Sequence, residues 1–153
     1  MKFVVDCMLG KLAKWLKILG FDVLYFSKIE DEEILNIAKK QKRALLTRDN
    51  YLIKKAKGIP NLFIESENWP EQVIQVINSF NLREKIKPYS RCIECNYPLK
   101  KIKKERAKNL VAPFIYENEN EFALCPKCGR IYWPGTHYRK MQGNIKNLLK
   151  GSS

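Results

Sequence analysis

Histidine is almost missing from this sequence, with one in 153 residues, which leaves any acid–base or metal chemistry chiefly to other side chains. Long apolar runs are missing too. No stretch approaches the ~18 apolar residues of a spanning helix, which excludes a membrane protein of that kind. The opening MKFVVDCMLGK has too short an apolar segment, interrupted by Asp6, to serve as a secretory signal, so a cytoplasmic location with reduced thiols is expected. There is no internal repeat or low-complexity tract, and no recognition-helix motif that would favour a DNA-binding regulator. Acidic residues are scarce: 16 Asp and Glu stand against 29 Lys and Arg, a formal net charge of +13. That excess points to a polyanionic partner such as nucleic acid or an anionic surface. Both halves are basic, with 16 cations against 11 anions through Pro88 and 13 against 5 from Tyr89 onward, excesses of 5 and 8.

Apolar residues make up 45% of the chain and charged residues 29%, ordinary for a folded protein. The first half repeats a short apolar run followed by a helical pattern. After KFVVD, the residues Leu9, Leu12, Leu16 and Leu19 recur at helical spacing up to Gly20. DVLYF and RALLT enclose a second helix over Ile34, Leu35, Ile37 and Ala38. A short helix over Tyr51 to Ala56, the run NLFIE, and a helix opened by Pro70 complete four β-α units. Such alternation predicts an α/β fold, a parallel sheet flanked by helices, over residues 1–85. Right-handed crossovers favour the order 2-1-3-4, with strands one and three meeting at a topological switch point.

Ligands bind at such points outside the carboxyl ends of the strands. Asp6 and Asp49 stand there, and Asp31 begins the helix after strand two. Three oxygen donors from separate segments suit Mg²⁺ or Mn²⁺ and the hydrolysis of a phosphodiester. The competing reading makes Asp6 and Asp49 helix caps and Asp31 one charge in the solvated run EDEE.

Residues 81–90, NLREKIKPYS, read as a linker, and beyond it the periodic pattern is lost. Cys92, Cys95, Cys125 and Cys128 form two C-x2-C pairs separated by 29 residues, which supplies four thiolates for tetrahedral zinc in a small zinc ribbon over 89–150. Four Cys ligands leave no open position, so the zinc is structural. Paired disulfides are disfavoured where thiols stay reduced. The long spacer reads as an inserted hairpin turning at Asn118-Glu119-Asn120, and the odd Cys7 reads as a buried core thiol.

Lys11, Lys14 and Lys17 form a cationic stripe on the first helix. Arg48 adjoins Asp49. Lys100, Lys101, Lys103 and Lys104 form a denser run, and IYWPGTHYRK interleaves Trp133, His137 and Tyr138 with Arg139. Single-stranded bases stack on aromatics while cations hold the backbone. These residues are the candidate RNA contacts, though a stripe of lysines is also what a solvated face looks like and Trp133 could simply close the ribbon's core.

VVDCMLGKLAKWLKILGFDV, EDEEILNIAKK, ALLTRDNYL, the paired knuckles and CGRIYWPGTHYRKM together resemble the PIN-like RNase family known from the C-terminal domain of Mut-type exonucleases, with its zinc ribbon. The resemblance implies an α/β sheet whose acidic residues bind Mg²⁺ or Mn²⁺, and Asp6, Asp31 and Asp49 match those positions. The broader PIN pattern has a fourth acidic position that no segment of this chain supplies. The expectation is a cytoplasmic, metal-dependent ribonuclease acting on RNA with single-stranded regions, aided by a zinc ribbon. The alternative is a non-catalytic RNA-binding or ribosome-associated adaptor.

Overall fold

The computed structural model describes residues 1–151, with residues 136, 137, 141, 148 and 151 described by their backbone alone. Four strands, β1 (Lys2–Val5), β2 (Asp22–Tyr25), β3 (Ala44–Thr47) and β4 (Asn61–Phe63), form a parallel sheet in the order β2-β1-β3-β4, the order expected from the alternation. The helices between and after them are α1 (Gly10–Ile18), α2 (Asp31–Lys40), α3 (Asn50–Lys55) and α4 (Trp69–Ser79). Because side chains alternate across a strand, β1 and β3 are apolar on both sides. Phe3, Val5, Ala44 and Leu46 pack with α1 and α4, while Val4 and Leu45 pack with Ile34 and Ala38 of α2 and Leu52 of α3. Helices therefore cover both faces, and the carboxyl ends of β1 and β3 lie side by side.

The cysteine-rich half holds a three-stranded antiparallel sheet, β5 (Lys100–Ile102), β6 (Phe122–Leu124) and β7 (Ile131–Tyr132), and three helices, α5 (Lys104–Ala107), α6 (Pro113–Asn118) and α7 (Thr136–Gly151). The expected hairpin at Asn118-Glu119-Asn120 is not what forms. Pro113 opens α6, a position where its fixed φ and missing N–H suit a helix start, and the helix runs to Asn118. Glu119 is then buried, 7% exposed, and accepts a hydrogen bond from Arg139 at 2.9 Å. The inserted segment is thus helical.

The stretch read as a linker is held down. The N–H groups of Lys87 and Tyr89 donate to the carbonyls of Leu19 and Ile18 at the end of α1, groups a helix terminus otherwise leaves unpaired. Gly20 enables this approach: its φ is +100°, and a Cβ there would collide with the Lys87 carbonyl. Further along, the first cysteine knuckle is tied to the parallel sheet. Asn96 accepts from the Val23 N–H at 3.0 Å and donates to Asp22 at 2.7 Å, and Lys17 donates to the Ile93 carbonyl at 2.7 Å. Lys17 is therefore a bridge between the halves, unlike the rest of its stripe. Ile145 and Leu149 of α7 join the core beneath α1 and α4.

Candidate active site and metal centre

β1 ends at Val5 and Asp6 turns the chain into a short 3-10 segment over Cys7–Leu9. The Asp6 carboxylate accepts the Cys7 N–H at 2.7 Å and, through its other oxygen, the Thr47 hydroxyl at 2.8 Å. Thr47, the last residue of β3, is fully buried, and its hydroxyl also accepts the Asp49 N–H at 2.9 Å. One hydroxyl therefore fixes both carboxylate-bearing turns at the switch point. Asp49 caps α3: its Oδ1 takes the N–H groups of Tyr51 at 2.8 Å and Leu52 at 3.4 Å. The second oxygen, Oδ2, takes no hydrogen bond among the described residues. Capping and ligation are thus compatible, since a cap occupies only one of the two oxygens.

Asp31 is differently placed. It stands in the first turn of α2 and faces Lys55 at 3.5 Å, with both side chains substantially exposed. Its oxygens do not converge with those of Asp6 and Asp49: among the described residues, the one group of three or more Cys, His, Asp or Glu with converging ligand atoms is elsewhere. Thr47 is the site residue that sequence reading missed. Its only signal is its position at the end of an apolar strand, two residues before Asp49.

Cys7 is exposed, which corrects its reading as a core thiol. The strand ends before it, and the turn at Asp6 carries it outward. Desolvation, the charge of Asp6 and, more weakly, that of Asp49 push its thiol pKa up. Both carboxylates thus act on one spot, and the thiol beside them is kept protonated and poorly nucleophilic.

The converging group is Cys92, Cys95, Cys125 and Cys128, whose sulfurs lie within 4.8 Å of one another. Cys92 and Cys128 are 3.8 Å apart, about the edge of a tetrahedron with Zn–S bonds of about 2.3 Å, and none is in a disulfide. The four cysteines could hold a metal ion such as zinc. Both knuckles are preformed by backbone hydrogen bonds, Asn96 N–H to Cys92 carbonyl at 2.9 Å and Gly129 N–H to Cys125 carbonyl at 2.8 Å, with Asn96 and Gly129 at positive φ. The Tyr132 hydroxyl sits 3.0 Å from the Cys92 sulfur and 3.1 Å from the Ile93 N–H, the outer support that holds a ligand in place. Without an ion the four thiols share their protons unequally: a backbone N–H at Arg130 leads the causes that lower Cys128, to about 6, while desolvation and the neighbouring thiols push Cys95 up to about 12, so binding a metal would release protons.

The candidate RNA contacts separate into engaged and free groups. Arg48 is spent on the carbonyls of Ile64 and Glu65, at 3.0 and 2.7 Å. Arg139 is paired with the buried Glu119, and Lys104 lies over the Tyr116 ring at 4.9 Å. Lys100, Lys101 and Lys103 are exposed. The His137 side chain lies outside the described residues. Lys11 and Lys14 are exposed on α1 and border a cleft of about 700 Å³ that also includes Trp133 and Tyr138.

The Mut7-C RNAse domain family model matches residues 1–145. The chain belongs to that family. No curated protein and no solved structure matches it. Membership of the Mut7-C RNAse domain family agrees with the architecture just described, a parallel sheet flanked by helices with four clustered cysteines toward its C-terminal end. Among the described residues, no helix is long and apolar enough to cross a membrane.

Proposed function

We propose that this Mut7-C domain is a ribonuclease that hydrolyses RNA phosphodiester bonds at the switch point, using Mg²⁺ or Mn²⁺ held by Asp6 and Asp49, with Asp31 as a third carboxylate. The observation that carries this is the Thr47 hydroxyl bound to both Asp turns, together with an Asp49 oxygen that no group among the described residues uses. The donor set fits the ion: hard carboxylate oxygens with room for waters and substrate phosphate suit Mg²⁺ or Mn²⁺ rather than a softer metal. When bound, such an ion draws charge from the scissile phosphate and lowers the pKa of the attacking water.

The chain's own residues supply the rest. Asp6 and Asp49 bring negative charge to the mouth of the sheet; Thr47 holds the Asp6 carboxylate and the Asp49 backbone, while the Tyr51 N–H holds the Asp49 carboxylate. Asp31 joins by exchanging Lys55, an exposed pairing of little worth, about 0–1 kcal/mol. Lys11 and Lys14, next along the chain, bind backbone phosphates and position the strand, as do Lys100, Lys101 and Lys103 more remotely. The four cysteines hold zinc in a structural role, since they fill its coordination.

A second reading, an RNA-binding module without cleavage, draws on the cap bonds of Asp6 and Asp49 and on the Asp31–Lys55 pair. The deciding experiment incubates the whole chain with end-labelled single-stranded RNA, with and without Mg²⁺ or Mn²⁺. Cleavage that needs the ion supports the ribonuclease, whereas intact RNA under saturating Mn²⁺ and demonstrable binding supports the binding module.

A further inference from the structure

The cleft of about 700 Å³ between α1 and the cysteine-rich half concentrates aromatic groups that the proposed hydrolysis leaves unused. All three tryptophans of the chain, Trp15, Trp69 and Trp133, line it. Trp69 stacks on Trp15 with centroids 4.9 Å apart and planes 8° from parallel, and Tyr138 continues the row 6.5 Å from Trp15 at 10°. Trp15 is buried, 6% exposed, while Trp69, Trp133 and Tyr138 are half-buried, so aromatic surface is left facing the cleft. Among the described residues no acidic side chain lines it, and its rim carries Lys11 and Lys14. Neither lysine has a hydrogen bond or ion pair among the described residues, in contrast to Lys17, Arg48 and Arg139. Cations without partners among the described residues thus stand beside half-buried aromatic rings, of which Tyr138 also packs on Tyr89 at 4.1 Å and Trp133 on Phe122 at 6.5 Å.

The cleft also extends toward the Asp6 turn. A second cavity of about 570 Å³ shares Lys11 and Trp69 with it and is lined by Met8, Leu9 and Gly10, two to four residues beyond Asp6, and by Glu67 from the segment before α4. Lys14 lies eight residues beyond Asp6, across the 3-10 segment and the first turn of α1.

We propose that this cleft is a subsite for an unpaired nucleobase of the RNA, stacked among Trp69, Trp133 and Tyr138 while Lys11 and Lys14 hold the flanking phosphates. It rests on RNA being the substrate and adds what that reading leaves open, a preference for unpaired nucleotides near the scissile bond. The occupant follows from the chemistry. A base has a flat apolar face for the rings and is chained to an anion for the lysines, and its volume suits a cleft in the usual ligand range of about 300–1,000 Å³. Bases paired within a duplex cannot reach rings recessed in a cleft.

The test uses the whole chain without added divalent ion, a short single-stranded RNA, and the same sequence as a blunt duplex. Because every tryptophan lines the cleft, intrinsic tryptophan fluorescence reports its occupancy while anisotropy of labelled RNA reports total binding. The single strand is expected to quench the fluorescence and the duplex to leave it unchanged. Trp133→Leu is expected to weaken single-strand binding about five- to hundred-fold, the range of one lost stack. Trp133→Phe keeps a ring, and with it most of the affinity. Lys14→Glu, on an exposed helix position where folding is not at stake, is expected to lower single-strand binding more than duplex binding.

Single-strand binding without quenching would give the cleft to another occupant and overturn the proposal. So would Trp133→Leu and Lys14→Glu binding the single strand as the parent does, or losing both RNAs equally. A chain that shows the quenching but never cleaves with Mn²⁺ would keep this subsite and lose the ribonuclease. One that cleaves while both variants bind normally would do the reverse.

Discussion

The two halves of the molecule are held together by different means. The parallel-sheet half buries alternate residues of β1 and β3 on both faces, and Phe3, Val4, Val5, Leu45 and Leu46 are all fully sealed from solvent. In the half that follows, the buried apolar residues before α7 are few: Cys92, Ala107, Phe122, Ala123 and Cys125. Two of these are the cysteines themselves. Among the described residues, its remaining buried apolar side chains, Ile145 and Leu149, belong to the core of the other half. A small unit without an adequate apolar core needs a staple, and here the staple is the cysteine cluster plus the anchorage of α7 and Asn96 on the sheet.

The strongest way to break this contrast is to deprive the cysteine cluster of the zinc proposed for it. Cys92→Ser, or zinc chelation, is expected to unfold residues 89–135, since structural zinc supplies about 10–16 kcal/mol in peptide units of this kind. Amide hydrogen exchange should show fast exchange there and retained protection in β1 and β3. Loss of protection in both halves at once would mean that the sheet depends on the cysteines, and metal analysis finding no zinc in the parent would remove the staple altogether.

The next effect concerns the junction. Arg43 is buried against Asp22 at 2.7 Å, and Asp22 also meets Asn96 and, at 3.9 Å, Arg91. Removing one member of such a pair strands the other, so Arg43→Ala should cost about 3–5 kcal/mol in denaturant unfolding. Burial alone would raise the Asp22 pKa, but hydrogen bonds from Arg43 and Asn96 and the charges of Arg43 and Arg91 outweigh it and leave the carboxyl below its ordinary value. A depressed carboxyl stabilises the fold above its unfolded pKa of about 3.9, and that contribution is lost as pH falls through the lower folded value. Asp22→Asn should therefore flatten the loss of stability below about pH 4; an unchanged acid limb would show that the junction is not electrostatic.

Smaller effects sharpen the division of labour between the halves. Thr47→Val keeps the shape of β3 but removes the hydroxyl between the two Asp turns, and should lower cleavage or Mn²⁺ affinity about 10–100-fold, as losses of outer-shell support do. Parent-level activity would make Thr47 a core residue only. Changing Lys100, Lys101, Lys103 and Lys104 to Ala should weaken RNA binding and flatten its salt dependence by about 0.7 per lost phosphate contact on a single strand. Lys104, already over the Tyr116 ring, should contribute least, and an unaltered slope would mark the run as a solvated face.

What was legible in the sequence follows the same contrast. The strand order 2-1-3-4 could be read because each apolar run and each helical stripe in the first half carries its own periodicity. The pairing of the cysteines could be read from spacing alone. Within the insert, the polar Asn118-Glu119-Asn120 tip reads as a hairpin turn, and Pro113, which opens α6, has no part in that reading. Cys7 was misplaced because one residue decides whether a strand continues, and the cap at Asp6 ends it. The aromatic cleft draws on α1, α4, the segment around Tyr89 and the chain beyond β7, far apart in sequence, so only tertiary packing assembles it. Thr47 left almost no trace, since a threonine at a strand end is ordinary until its hydroxyl partners are seen.

The central claim is that Asp49 holds a catalytic ion and does more than cap α3. The most direct measurement is single-turnover cleavage of labelled RNA by Asp49→Asn under saturating Mn²⁺, alongside its melting temperature without added divalent ion. Asn caps about as well as Asp, and losing one carboxylate near Asp6 relieves like-charge repulsion, so the melting temperature should hold or rise while cleavage collapses. A stable Asp49→Asn protein that cleaves at the parent rate would contradict the claim and leave Asp49 a helix cap.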